Sequence, residues 1–231
     1  MSPLLEADCV GKRYGDHAVL TCASLRAIAG AVTALVGRNG AGKSTLLRIV
    51  TGAIAPDTGF VRLRGQTLMT TSLARLAHAG VFFLPDRDLL HPALNLGVQL
   101  RAVAEAFGSL GDHEAIANQL AIEHVLAQKP GALSGGERRR AEIAAAIARR
   151  PSILIADEPL RGITPLDTEL VLAALATFAR AGGAVVLTGH ETTMLLPAAD
   201  RITWCTAGTT REFASTHAAM SDFAFRRDFL P

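Results

Sequence analysis

The apolar positions change period along the chain. Residues 4–36 alternate in strand fashion and are broken twice, at Gly15-Asp16, a hairpin signal, and at Ala29-Gly30. The run Ala31-Val32-Thr33-Ala34-Leu35-Val36 is nearly continuous in apolar residues, which predicts a short strand buried on both faces. A helix is predicted over 42–51, then a hairpin over 59–69, a helix over 72–78 and a strand at Val81–Leu84. From 95 to 128 the period becomes helical, with Leu96, Leu100, Val103 and Phe107 on one face and a break between Gly108 and Gly111. Beyond Gly136 the pattern predicts a helix to Arg150, a strand at Ile153–Ala156, a helix over 165–181 and a strand at Ala184–Thr188. Residues 201–231 read as a strand pair and one or two helices. Strands alternating with helices predict an α/β fold with a parallel sheet, into which the mostly helical middle is inserted.

Composition narrows this little. The chain has 231 residues, 49% of them hydrophobic and a formal net charge of only +2, so it folds and shows no bias toward nucleic acid. Arg138, Arg139 and Arg140 cluster, and the expectation is a solvated helix face. Cys9, Cys22 and Cys205 are odd in number without CxxC spacing, which predicts reduced thiols and neither a disulfide framework nor a zinc site. The first residues lack a basic segment followed by a long apolar one, so no secretory signal is expected. The longest apolar run, near 170–179, falls short of the roughly 20 residues that span a bilayer. Any membrane role is expected through a partner.

Gly37-Arg38-Asn39-Gly40-Ala41-Gly42-Lys43-Ser44-Thr45 fits G-x-x-x-x-G-K-[ST] between a buried strand and a helix. Glycines let consecutive N–H groups point into one concavity, and the helix start adds positive potential, which suits phosphate oxygens. In this pattern Lys43 reaches the β- and γ-phosphates and the Ser44 hydroxyl ligates Mg²⁺. The four fixed positions co-occur by chance on the order of once in a hundred chains of this length. Asp157 and Glu158 end the apolar strand Ile153–Ala156, where parallel sheets face their ligand crevice. The expected roles are Mg²⁺ ligation for Asp157 and activation of the attacking water for Glu158.

Leu133-Ser134-Gly135-Gly136-Glu137 opens a helix, with Ser134 and Glu137 in capping-box spacing and two glycines leaving amides open to an anion. This segment resembles the ABC signature motif, and about residues 4–215 resemble the ATP-binding subunits of ABC transporters. The run from Leu133 to Ala144 is nearest in flavour to the lipopolysaccharide-export and branched-chain amino-acid transport ATPases. The resemblance implies a P-loop ATPase fold in one unit: an antiparallel β part and core lobes over 1–85 and 136–231, and a helical part with the signature over 86–135. It implies ATP and Mg²⁺ as ligands, hydrolysis coupled to transport, and a homo- or heterodimer in which each signature closes on the nucleotide of the other copy. It also implies transmembrane permease partners at the cytoplasmic face of a membrane. Tyr14 matches the aromatic residue that stacks on adenine, and His190 the switch histidine that contacts the γ-phosphate. Residues 86–99 match the groove that receives a permease helix.

Two positions depart from the family pattern. Where the family has a glutamine, Leu84-Pro85 is followed by Asp86, a carboxylate able to approach Mg²⁺ but unable to donate as an amide does. Before Pro165 stands Thr164 in place of the usual aspartate; it can still cap the following helix. These departures leave open a nucleotide-binding regulatory module of low turnover, and the family also contains soluble ATPases that act without membranes. The tail over 209–229, with Phe213, Phe223, Phe225 and Phe229, either packs on the chain's own core or meets a partner.

Overall fold

In the computed structural model, residues 2–68, 72–84, 89–109, 111–189 and 192–229 are described. The chain begins with β1 (Leu5–Tyr14) and β2 (His17–Ala27), antiparallel about Gly15-Asp16, followed by β3 (Val32–Val36) and α1 (Lys43–Val50). Next come β4 (Thr58–Leu63), β5 (Gln66–Thr67), α2 (Leu73–His78) and β6 (Val81–Leu84). The helical stretch holds α3 (Leu96–Ala106), α4 (Asp112–Gln119) and α5 (Gly135–Ala148). The remainder is β7 (Ile153–Ala156), α6 (Pro165–Arg180), β8 (Ala184–Thr188), α7 (Thr192–Ala198), β9 (Arg201–Thr206), β10 (Thr209–Phe213), α8 (Thr216–Ser221) and α9 (Phe223–Phe229). The described strands form one sheet in the order β5-β4-β1-β2-β10-β9-β3-β8-β7-β6. Its β9-β3-β8-β7-β6 half is parallel and its β5-β4-β1-β2 half antiparallel.

The parallel strands are short and apolar because both of their faces are covered. Alternate residues serve opposite faces: Leu154, Ala156, Val185 and Leu187 pack with Ala141, Ile143, Val171 and Leu175 of α5 and α6. Ile153, Ile155, Ala184 and Val186 pack with Leu46, Leu47, Ile49 and Val50 of α1. That division of a period-two pattern between two helical layers places the carboxyl ends of β3, β7 and β8 side by side, where the site sits. Among the described residues no helix is long and apolar enough to cross a membrane.

Several expectations are corrected. The buried face of α3 carries Leu96, Gln99, Leu100 and Ala104, while Phe107 is exposed. Phe107 is the residue past the helix end, so it leaves the helical phase and lies instead under the Arg149 guanidinium, 4.2 Å from its ring centre. The arginine cluster is not a solvated face: Arg139 and Arg140 are buried, paired with Glu142 at 2.8 Å and Asp167 at 2.9 Å. Burial of a guanidinium is tolerable only with such partners, and neither is adjacent in sequence. Cys9 and Cys22 form a disulfide, against the expectation of reduced thiols. They stand six residues before Gly15 and six after Asp16, so the hairpin brings them together although their spacing is no motif. Helix α7 was not foreseen from the sequence. In the tail, Phe225 is fully buried against Trp204, Phe213 and Phe229, whereas Phe223 is 72% exposed.

Candidate functional site

The loop 37–42 leaves β3 and ends at Gly42, the residue that caps α1 with φ 107°. A side chain there would press on Leu20 Cδ2 at 2.5 Å and Val19 O at 3.2 Å, so only glycine lets the loop lie on β2. Lys43 opens α1 and is buried, its Nζ donating to Gly37 O at 2.7 Å and Arg38 O at 3.1 Å. Burial holds its pKa below the usual lysine range, opposed by the nearby Cys205, Glu158 and Asp157. The lysine thus turns on the loop's own carbonyls. Ser44 is exposed and Thr45 half-buried on the same first turn, which carries no acidic side chain to compete with an anion.

The acids at the end of β7 are set by β8. Thr188, fully buried at the last position of β8, donates from Oγ1 to Asp157 Oδ1 at 2.6 Å. The same oxygen accepts from the Glu158 amide at 2.8 Å. Glu158 adopts φ 46°, a left-handed bend that a side-chain-bearing residue keeps only when its surroundings impose it. Thr188 was not singled out from the sequence. Its signal was a hydroxyl closing an apolar strand whose neighbour ends in acids.

Ser134 caps α5: its Oγ accepts from Glu137 N at 3.3 Å, and Glu137 Oε2 accepts from Ser134 N at 2.8 Å, a complete capping box. These Ser134 donors, with His124 Nε2 2.9 Å from Oε1, hold the Glu137 carboxyl down to about 2. Gly136 is needed for closeness, because a Cβ there would lie 2.5 Å from Asp167 Cγ. Thr164 caps α6 in a second capping box with Asp167, as its position suggested. Within one chain none of the Ser134 or Glu137 hydrogen bonds reaches residues 37–45. The structure therefore brings Lys43, Asp157 and Glu158 to one place and leaves the Ser134, Gly135, Gly136 and Glu137 helix start away from the 37–45 loop, with Ser134 and Gly135 exposed and Gly135 sharing a cavity with Glu158. Tyr14, 46% exposed, ends β1. Asn39 and Gly40 are exposed at the loop crown, with Arg38 and Ala41 beside them. Asp86 and His190 lie outside the described residues.

Two features of the surroundings were not expected. Asp228 and Phe229 of α9 line a cavity of about 410 Å³ with Gly37, Arg38, Asn39 and Gly189. Cys205, at β9, donates from Sγ to Ala41 O at 3.0 Å; burial pushes its thiol up to about 11, so it remains a neutral prop beneath the loop.

The family profile described as ABC transporter matches residues 20–161. The chain is 33% identical over 202 residues, 85% of its length and 72% of the relative's, to a probable ABC transporter ATP-binding protein of Azorhizobium caulinodans. It is 28% identical to the lipopolysaccharide export system ATP-binding protein LptB of Haemophilus influenzae, over 98% of this chain and 97% of that one. In structure it is similar to the ADP conformation of an ATP-binding cassette of an ABC transporter, with TM-score 0.86, 21% identity and coverage of 100% and 99% of the two chains. A dimeric bacterial ABC transporter cassette matches with TM-score 0.76 at 23% identity, over 91% and 98% of the two chains.

Proposed function

This chain belongs to the ABC transporter ATP-binding family, and on that premise we propose how its residues bind and spend ATP. As a member it is an ATP-hydrolysing subunit that energises transport by separate transmembrane subunits. The observation that carries the residue assignment is the convergence of Lys43, Asp157 and Glu158 on the ends of β3 and β7, with Thr188 holding the Asp157 carboxylate and the Glu158 amide.

In this reading the amides of Gly37 to Thr45 cradle the phosphates, and Lys43 gives up its two carbonyl partners for the β- and γ-phosphate oxygens. Tyr14 stacks on the adenine. Ser44 and Asp157 would hold Mg²⁺, with Asp86, outside the described residues, as a further ligand. A hydroxyl and one carboxylate suit a cation otherwise held by phosphate oxygens and water, and among the described residues no cluster of three or more His, Cys, Asp or Glu offers a self-sufficient metal cage. Bound there, Mg²⁺ supplies charge neutralisation on the phosphates. Glu158 polarises the attacking water, His190 contacts the γ-phosphate, and the Lys43 ammonium stabilises charge in the transition state.

The Ser134–Glu137 helix start is complementary to the γ-phosphate on a second copy, which makes the working unit a dimer of cassettes, alike or different. Leu89, Leu94 and Val98 are exposed on the segment that meets the permease, which supports attachment to the cytoplasmic face of a membrane through that partner. The formal net charge of +2 gives no bias toward nucleic acid as a partner.

The test is Mg²⁺-dependent ATP hydrolysis by purified protein, with Glu158→Gln beside it. Expected is turnover by wild type, a loss of about 100-fold or more in the variant, and an ATP-trapped dimer of that variant. Full turnover by Glu158→Gln would remove Glu158 from its role.

A further inference from the structure

The signature helix and the catalytic turn are joined by a buried ion pair that the reaction does not itself require. Arg139 and Glu142, an i,i+3 pair on α5, have side chains only 8% and 5% exposed and meet at 2.8 Å. The Arg139 guanidinium also reaches three successive carbonyls of the turn after β7: Nε to Pro159 O at 3.0 Å, and Nη2 to Asp157 O and Glu158 O at 3.3 Å each. Both oxygens of Glu142 are engaged, Oε2 by Arg139 and Oε1 by the Leu89 amide at 3.2 Å. Leu89 begins the described part of the 89–95 segment. Gln99 fixes the rest of that segment, accepting from His91 N at 2.8 Å and donating to Leu94 O at 2.8 Å. Between α5 and the turn lies a cavity of about 340 Å³ whose lining includes Gly135, Arg139, Glu142, Glu158 and Arg161.

A buried ion pair adds little stability over an apolar pair of similar volume, so its use lies in geometry. A planar guanidinium can serve a carboxylate and several carbonyls at once, which a lysine ammonium cannot do with fixed direction. The turn it holds contains Glu158 in its left-handed bend, the arrangement most dependent on imposed contacts.

We propose that Arg139, with Glu142, is a positioning residue that clamps the Asp157–Pro159 turn and ties it to the Leu89 amide, so that the catalytic turn and the 89–95 segment hold and loosen together. The inference rests on the assignment of Glu158 above. It gives that site a mechanical link, through residues of one helix face, to the exposed apolar segment at Leu89 and Leu94.

The experiment is hydrogen–deuterium exchange with mass spectrometry on the full chain, with and without ATP, beside steady-state hydrolysis. Two variants are used. Arg139→Lys keeps a charge next to Glu142 but loses the fork. The double variant Arg139→Met with Glu142→Leu leaves no buried charge unpaired and so folds. Expected in both is faster exchange, by about tenfold or more, at 157–161 and at 89–95 together; in Arg139→Lys the Glu142 contact to the Leu89 amide is left in place, so loosening of the second segment there reads the coupling itself. Expected also is a fall in kcat of about 10- to 100-fold with KM for ATP within twofold of wild type. Wild-type exchange at both segments in the double variant, a change at one segment alone, or an unchanged kcat overturns the proposal. If wild type itself binds ATP without turning it over, the assignment of Glu158 fails, and the paired exchange still decides the clamp.

Discussion

Neighbouring glycines of the signature should respond oppositely to the same added methyl group. A Cβ at Gly135 meets nothing within 4 Å, whereas at Gly136 it would lie 2.5 Å from Asp167 Cγ and closer still to Oδ2. Ordinary contact begins near 3.4 Å, so the carboxylate carbon must retreat by about 0.9 Å and its Oδ2 by more. It is poorly free to do so. Oδ1 pairs with buried Arg140 at 2.9 Å, and Oδ2 accepts from Thr164 Oγ1 at 2.7 Å in the capping box of α6. Loosening a buried pair whose arginine keeps the Leu120 and Ala121 carbonyls costs less than orphaning it, and a weakened cap adds about 1 kcal/mol. Gly136→Ala is therefore expected to lose about 2–4 kcal/mol of unfolding free energy, and Gly135→Ala to stay within about 0.5 kcal/mol of wild type or gain slightly. Urea unfolding followed by circular dichroism, with slopes compared to establish two-state behaviour, reads both. Equal stability of the two variants would refute the reasoning, since it would mean that the carboxylate moves aside at no cost.

Other expectations follow from single contacts. Thr188→Val preserves shape but strips Asp157 and the Glu158 amide of their shared hydroxyl; a loss of about 1–3 kcal/mol in thermal unfolding and a clear fall in kcat are expected. Phe225→Ala empties the ring cluster of Trp204, Phe213 and Phe229, for about 3–5 kcal/mol in chemical denaturation and release of α9 to proteolysis. Thiol titration of the protein prepared without reductant should find no reactive thiol when native and Cys205 alone when unfolded, with Cys9 and Cys22 joining only after reduction. Because Glu137 is lowered from 4.5 to about 2 in the folded chain, its stabilising effect is present above about pH 4.5 and is lost as pH falls through about 2. The stability gap between wild type and Glu137→Gln should accordingly narrow in acid unfolding curves below pH 4.5.

Elements with strong local signals were legible in the chain itself. The loop from Gly37 to Thr45, the acids closing Ile153–Ala156 and the capped start at Ser134 each state their chemistry in a few adjacent residues, because phosphate cradles, strand ends and helix caps are short-range devices. The period of the apolar residues likewise placed most helices and strands, β7 and β8 among them, and the two-sided burial of β3. What adjacency cannot express came only with the fold. Arg139 and Arg140 read as solvated because a run of charges does not show what covers it; Glu142 stands one turn from Arg139, but α5 carries the pair under the β7 turn and sets Arg140 against Asp167, 27 positions beyond it. Thr188 becomes the keeper of Asp157 and Glu158 only because β8 lies beside β7. Cys9 meets Cys22 through hairpin pairing, and Cys205 comes to support Ala41 because β9 pairs with β3. Local propensity is set within a few residues, whereas burial, charge pairing and backbone strain are settled between segments brought together by the sheet, and there the tertiary structure alone decided.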